Sequence, residues 1–253
     1  MENILKNLPA RNAKPRKAGI TMVMDKGLNA AQAENFLSVA HEYTDVIKLG
    51  WNTALVTPNL EEKLAVFRRY DVPFYFGGTM FEAFVVRNQY KDYLSLLKKH
   101  RVPFVEVSNG SIDMAQEDKL RYITELAKDH VVFSEVGSKD ADKDIPPYKW
   151  VEWMKSELEA GAYQVIAEAR ESGTVGVFQS SGKEKSGLIE EILHHVKPDK
   201  ILWEAPLKTQ QVWFVKLLGA NVNLGNISPE EVIPLETIRL GLRGDTFHTF
   251  LGK

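Results

Sequence analysis

Four glutamates carry the first chemical signal in this chain of 253 residues. Each closes a short β-branched, apolar run, and a turn containing glycine or proline follows. The phrases are PFVEVSNG with Glu106, VVFSEVG with Glu135, YQVIAEARESG with Glu168 and ILWEAP with Glu204. They lie 29, 33 and 36 residues apart, about one strand plus one helix each time. Carboxylates in register at the ends of successive parallel strands converge on one cavity. The cations Lys26, Lys48, Lys139 and Arg170 stand at comparable positions. Such a set invites a hard divalent cation. The chain has no cysteine and no histidine pair at metal spacing, so the ligands are oxygens and the expected ion is magnesium rather than zinc. A lysine in the set would serve as a proton donor or an anion clamp, because burial readily shifts its pKa.

The elements that must position these groups follow from the hydrophobic pattern. Strand-like runs occupy 20–24, 46–49, 74–76, 104–107, 131–135, 163–167, 201–204 and 222–224. Amphipathic, charge-rich stretches of helical length alternate with them. Eight such pairs favour a closed (β/α)8 barrel over an open doubly wound sheet, and no G-x-G-x-x-G follows the first run. In a barrel the active site lies where the strands finish. The first run ends at Asp25-Lys26-Gly27, the second at Lys48 with Gly50-Trp51, and the third at Gly77-Gly78-Thr79. The eighth ends at Asn223-Leu224-Gly225-Asn226. Any one of these charges is sometimes a structural pair, with a glutamate bridged to Lys48 or Arg170. So many buried charges together are costly without a role.

Helix starts are marked by Asn29 with Gln32, by Asn59 with Glu62, and by Ser228-Pro229-Glu230-Glu231. The last follows Gly225-Asn226-Ile227, a place where barrels often bind phosphate on backbone N–H groups. A plain helix cap reads equally well there. Arg239 and Arg243 suit either an anion or a tie between the last helix and the barrel. Gly77-Gly78-Thr79 allows close ligand approach or simply a tight turn. The loop with Gly173, Gly176, Ser180, Ser181 and Gly182 suits a lid and also any long βα loop. Trp150 and Trp153 fit the packed face of a helix, and His194-His195 a solvated one. Ser134 has no evident His-Asp partner.

Composition narrows the class further. The net charge is -2 and no basic block extends beyond Lys14 to Lys17, which gives nucleic-acid binding no electrostatic support. Absence of cysteine excludes disulfides, thiolate metal sites and a cysteine nucleophile, and fits a cytoplasmic protein. No apolar run approaches the ~18–20 residues of a membrane span, and the N-terminal stretch lacks the apolar core of a signal peptide. One domain over 1–253 is expected, with 1–18 as an N-terminal extension. A homo-oligomer without membrane or nucleic-acid partners is the default expectation.

Nine motifs recur in order along the chain. They are MDKG at 24–27, IKLGWNT at 47–53, GGTMFE at 77–82, VEVSNGS at 105–111 and SEVGSKD at 134–140. EARESG at 168–173, EAPLKTQQ at 204–211, VNLGNI at 222–227 and LETIRLGLRGDTF at 235–247 complete the set. On these motifs the chain resembles the phosphosulfolactate synthase family, a likeness that also takes in plant heat-stress-associated proteins. The resemblance implies a (β/α)8 barrel and magnesium-dependent addition of sulfite to phosphoenolpyruvate, giving (2R)-2-O-phospho-3-sulfolactate for coenzyme M biosynthesis or other sulfonate metabolism. Sulfite would attack the methylene carbon, charge would build on the substrate carboxylate as an aci-carboxylate, and a lysine would protonate the carbon bearing the phosphate ester. By motif that lysine is Lys139, with Lys48 as the second candidate catalytic residue. Glu106, Glu135, Glu168 and Glu204 are the expected magnesium ligands. Lys26, Arg170, Lys208, Asn223, Asn226 and Arg243 are expected to hold phosphate, carboxylate or sulfite. Asn52, Asn109 and Ser138 depart from the family's archaeal members, which read glycine, aspartate and lysine there. Another nucleophile or enol phosphate on the same barrel, or a non-catalytic stress-associated scaffold, is the alternative. The retained charges at the strand ends favour an enzyme.

Overall fold

The computed structural model describes residues 4–138, 145–170 and 172–251. Its strands are β1 (Thr21–Asp25), β2 (Val46–Leu49), β3 (Phe74–Phe76), β4 (Phe104–Val107), β5 (Val131–Val136), β6 (Gln164–Ala167), β7 (Ile201–Glu204) and β8 (Leu224–Ile227). Nearly every strand residue is buried, as expected for parallel strands covered on both faces. The strands pair in parallel in the order β3-β2-β1-β8-β7-β6-β5-β4. Pairing of β1 with β8 bends this sheet into the expected (β/α)8 barrel, nearly closed. Among the described residues no ladder joins β3 to β4, and side chains stitch that seam instead. The Gly78 N–H donates to Glu106 Oε1 at 2.7 Å, and Ser108 Oγ donates to Glu82 Oε1 at 2.7 Å.

The outer layer contains α1 (Ala30–Ala40), α2 (Thr53–Val56), α3 (Leu60–Arg69), α4 (Gly78–Val85), α5 (Tyr90–Lys99), α6 (Gln116–Leu126), α7 (Pro147–Glu159), α8 (Ser186–His195), α9 (Lys208–Leu218) and α10 (Val232–Arg239). The apolar stripes of these helices face the barrel. In α7, Trp150 is buried in the core and Trp153 packs against it, as the pattern implies. His194 and His195 end α8 on its exposed face. None of the described helices is long and apolar enough to cross a membrane.

Two of the three helix starts differ from expectation. Asn29 and Gln32 form a reciprocal capping box on α1, with both bonds at 2.9 Å. Asn59 does not cap α3 with its side chain, because its backbone is left-handed at φ 53°. Ser228 makes no side-chain cap either. It leads into a short 3-10 turn, Pro229–Glu231, and α10 starts only at Val232. Glu230 and Glu231 occupy that turn.

β8 begins two residues later than the apolar run suggested. Thr21 pairs with Leu224 and Val23 with Ile227, so β8 carries one extra residue and bulges. Asn226 sits in the bulge with φ 56°. The shift moves Asn223 to the entry end of the strand. There its Oδ1 accepts the Ile20 N–H at 3.1 Å and its Nδ2 donates to Ile201 O at 3.0 Å. Asn223 therefore ties strand starts together at the opposite end from the glutamates, not beside them as expected of a substrate-binding residue. Arg239 acts at the same end, donating to Ala220 O at 2.8 Å and Val222 O at 2.6 Å, which fastens the last helix to the barrel.

Candidate functional site: an acidic cavity at the strand ends

Glu135 on β5, Glu168 just past β6 and Glu204 at the end of β7 come from three consecutive paired strands. One carboxylate oxygen from each lies within 4.8 Å of the others, and all three residues are buried. Backbone amides orient two of them. Ala169 N–H donates to Glu204 Oε2 at 2.9 Å, and Arg170 N–H donates to Glu168 Oε1 at 2.7 Å. The loop after β6 folds back on this point, with Val177 N–H donating to Glu168 O at 3.0 Å. Gly176 permits that approach, since a Cβ there would overlap the Glu168 carbonyl.

Lys48 projects from β2 into the same space. Its Nζ lies 3.0 Å from Glu106, 3.4 Å from Glu204 and 3.8 Å from Glu135. Burial alone would lower the Lys48 pKa, but these carboxylates and Tyr75 override it and raise the pKa well above its ordinary value. Lys48 is thus an ammonium at neutral pH, suited to hold charge rather than to accept a proton. Burial raises the Glu204 carboxyl, with Lys48 pulling the other way. The Tyr75 hydroxyl is pushed up by burial and then by Glu106.

Glu106 stands apart from the other three. Its Oε1 is engaged by the start of α4 and its Oε2 by Lys48, so it serves the seam between β3 and β4. Among the described residues the cluster whose oxygens can share one ion is Glu135, Glu168 and Glu204. An all-oxygen donor set suits a hard cation of the magnesium, calcium or manganese type.

The cavity measures about 250 Å³, and its wall includes Lys48, Trp51, Thr79, Arg170 and Asn226 beside the three glutamates. Asn226 is 6% exposed, and among the described residues its Oδ1 has no hydrogen-bond partner. Lys26 is exposed and does not itself line the cavity, but its Nζ lies 4.9 Å from the centre of the ring of Trp51, which does. Lys208 and Arg243 do not line the cavity. Lys208 pairs with Asp245 at 2.6 Å, and Arg243 lies 3.9 Å from the same carboxylate. Lys139 lies outside the described residues, just past buried Ser138. Asn52 is left-handed at φ 58°, a conformation asparagine tolerates better than most residues.

Several supporting contacts are not evident from the sequence. Asp25 is buried, and its Oδ1 accepts the Gly27 and Leu28 N–H groups at 2.7 Å. Its Oδ2 pairs with Lys63 of α3 at 2.7 Å, so this carboxylate shapes the turn that carries Lys26. Lys119 of α6 donates to Glu135 O at 2.6 Å and pairs with Glu157 of α7 at 2.8 Å. Ser134 Oγ donates to the other oxygen of Glu157 at 2.6 Å, which gives this serine a structural task. The available signal was a charge on an apolar helical stripe: Lys63 beside Leu64 and Phe67, Lys119 beside Ile123 and Leu126, Glu157 beside Trp150 and Met154.

Fold and site together define a barrel enzyme built around a buried acidic cavity able to hold a cation. Residues 9–245 match the family model described as (2R)-phospho-3-sulfolactate synthase (ComA). The chain is 41% identical over 252 residues to the phosphosulfolactate synthase of Methanothermobacter thermautotrophicus, covering 97% of this chain and 96% of the relative. It is 38% identical over 250 residues to that of Bacillus subtilis, covering 98% and 99%. The chain therefore belongs to the phosphosulfolactate synthase family. Among solved structures it is similar to 3-hexulose-6-phosphate synthase from Salmonella typhimurium, with a TM-score of 0.58 and 16% identity over 88% of this chain and 100% of that one. It is also similar to 3-keto-L-gulonate-6-phosphate decarboxylase from Vibrio cholerae, with a TM-score of 0.54 and 10% identity over 93% and 100%. At such identities the likeness concerns the fold alone.

Proposed function

We infer that this protein is a phosphosulfolactate synthase, joining sulfite to phosphoenolpyruvate to give (2R)-2-O-phospho-3-sulfolactate. The observation that carries the reading is the convergence of Glu135, Glu168 and Glu204 with Lys48 on one cavity, in a chain that matches this family over nearly its whole length. In the reaction the sulfur lone pair forms a bond to the methylene carbon. The π pair of the double bond moves toward the carboxylate and then returns to the carbon bearing the phosphate ester, which takes a proton.

Glu135, Glu168 and Glu204 would hold a magnesium ion, which when bound supplies positive charge against the growing charge on the substrate carboxylate. Lys48 keeps its proton and holds Glu106 and Glu204 in place. Arg170 and the amide of Asn226 face the cavity and are assigned to the anionic groups of the substrates. Lys26, against the Trp51 ring, is assigned to them as well. Lys139, four residues after Glu135 on the same chain segment, is assigned as the proton donor. We read the enzyme as a cytoplasmic homo-oligomer, which light scattering and cell fractionation would check.

The test is direct. Protein, phosphoenolpyruvate, sulfite and magnesium are combined, and product is followed by phosphorus NMR and mass spectrometry. Metal-dependent phosphosulfolactate that disappears in Lys139→Ala is expected. Wild-type turnover in Lys139→Ala would remove the lysine from its role, and absence of product from the wild type would remove the activity.

A further inference from the structure

Trp51 combines a strained backbone with a half-exposed ring. Its backbone is left-handed at φ 50°, a true outlier for a bulky aromatic, and Asn52 follows at φ 58°. Glycine would make the same turn without strain. A buried tryptophan recovers such a cost through the area it removes from water. Trp51 is 48% exposed, standing at the rim of the acidic cavity.

The ring faces a cation. Lys26 Nζ lies 4.9 Å from the ring centre, within the range of a cation–π contact. Lys26 is also held from its own side. The Asp25 carboxylate closes the turn through the Gly27 and Leu28 amides, and Lys63 anchors that carboxylate from α3. Two loops, after β1 and after β2, therefore agree on where one exposed ammonium stands. An approaching phosphate ester with a carboxylate is repelled by the buried glutamates behind this rim, and a fixed positive charge at the entrance counters that repulsion.

We propose that Trp51 is a positioning residue for substrate capture, whose indole seats the Lys26 ammonium at the cavity mouth to receive an anionic group of phosphoenolpyruvate. The ring limits the freedom of a long, flexible side chain and directs its charge toward the cavity. The inference rests on the proposed activity, because phosphoenolpyruvate saturation is its readout.

Steady-state kinetics on wild type, Trp51→Phe, Trp51→Leu, Trp51→Gly, Lys26→Met and the double variant Trp51→Leu/Lys26→Met test it. Trp51→Leu and Lys26→Met should each raise KM for phosphoenolpyruvate roughly tenfold with kcat held within about twofold. Trp51→Phe keeps an aromatic face and should recover most of the loss. The double variant should be no worse than the poorer single variant. Trp51→Gly relieves the left-handed strain, so it should melt no lower than wild type while showing the same rise in KM. A purely structural tryptophan would not separate stability from KM in this way. An unchanged KM in Trp51→Leu, a phenylalanine variant as poor as leucine, or a double variant whose loss is the product of the two single losses would each overturn the proposal. A wild-type protein that forms no product would instead overturn the activity, so the two failures are told apart by the wild-type assay.

Discussion

Replacement of Lys48 by methionine removes an ammonium that touches three of the buried glutamates, at 3.0, 3.4 and 3.8 Å. Breaking a buried ion pair from one side costs about 3–5 kcal/mol, because the surviving charge keeps its desolvation penalty. At about 2–4 °C per kcal/mol for a chain of this size, the melting temperature should fall by roughly 6–20 °C near neutral pH. The pH dependence has a definite sign. Burial raises the Glu204 carboxyl above its ordinary value of 4.5, and Lys48 acts in the opposite sense. A carboxyl raised in the folded state contributes stability below its unfolded pKa, and that contribution is lost as pH rises through the folded value. Without Lys48 the folded value climbs further, so the loss extends closer to neutrality. The gap between Lys48→Met and wild type should therefore be widest at about pH 7–8 and narrow toward about pH 5. Magnesium at a hundredfold over its Kd should add ~2.7 kcal/mol to whichever protein binds it. Thermal melts by circular dichroism, at several pH values with and without magnesium, measure all of this. A variant that melts with wild type near neutrality, or whose deficit grows on acidification, would refute the reasoning.

Glutamine at Glu135, Glu168 or Glu204 should weaken manganese or magnesium binding by more than the ~10–100-fold typical of losing an outer partner, as read by isothermal titration. Glu106→Gln should change that affinity less than about tenfold, and an equal loss there would merge Glu106 with the metal ligands. Gly78→Ala would drive its new methyl into Ser108 Oγ and against Glu106 Oε1, so it should destabilise the seam by ~1–3 kcal/mol or more in urea unfolding. A neutral result would mean that the seam yields. Lys119→Met should cost about 3–5 kcal/mol, and Glu157→Leu in the same chain should recover part of it, because only the single change strands a buried charge. A double variant less stable than Lys119→Met alone would contradict that account.

Much of the site was legible in the sequence, because the signal is local. Four glutamates each follow an apolar run, and Lys48 ends another, so residue type and strand period together place them at one end of a barrel. Asn29 and Asn59 show where local reading stops. Both sit three residues before a Gln or Glu, yet only Asn29 caps, because Asn59 adopts a left-handed backbone that turns its side chain away. VNLGNI hid its register for a related reason. The bulge that shifts β8 exists only through pairing with β1, and it separates Asn223, at the strand entrance, from Asn226, which faces the cavity. The charged residues on apolar stripes announced that Lys63, Lys119 and Glu157 needed partners without saying which.

By itself, then, the sequence determined the alternation of strands and helices, the kind of groups at the strand ends, and the family to which those phrases belong. Only the tertiary structure decided that Glu106 serves the seam while Glu135, Glu168 and Glu204 face one another. The physical reason is distance. Ion sharing and ion pairing depend on separations of a few ångströms between residues some thirty positions apart, and those separations are set by how the ring of strands pairs and where its ladder is interrupted.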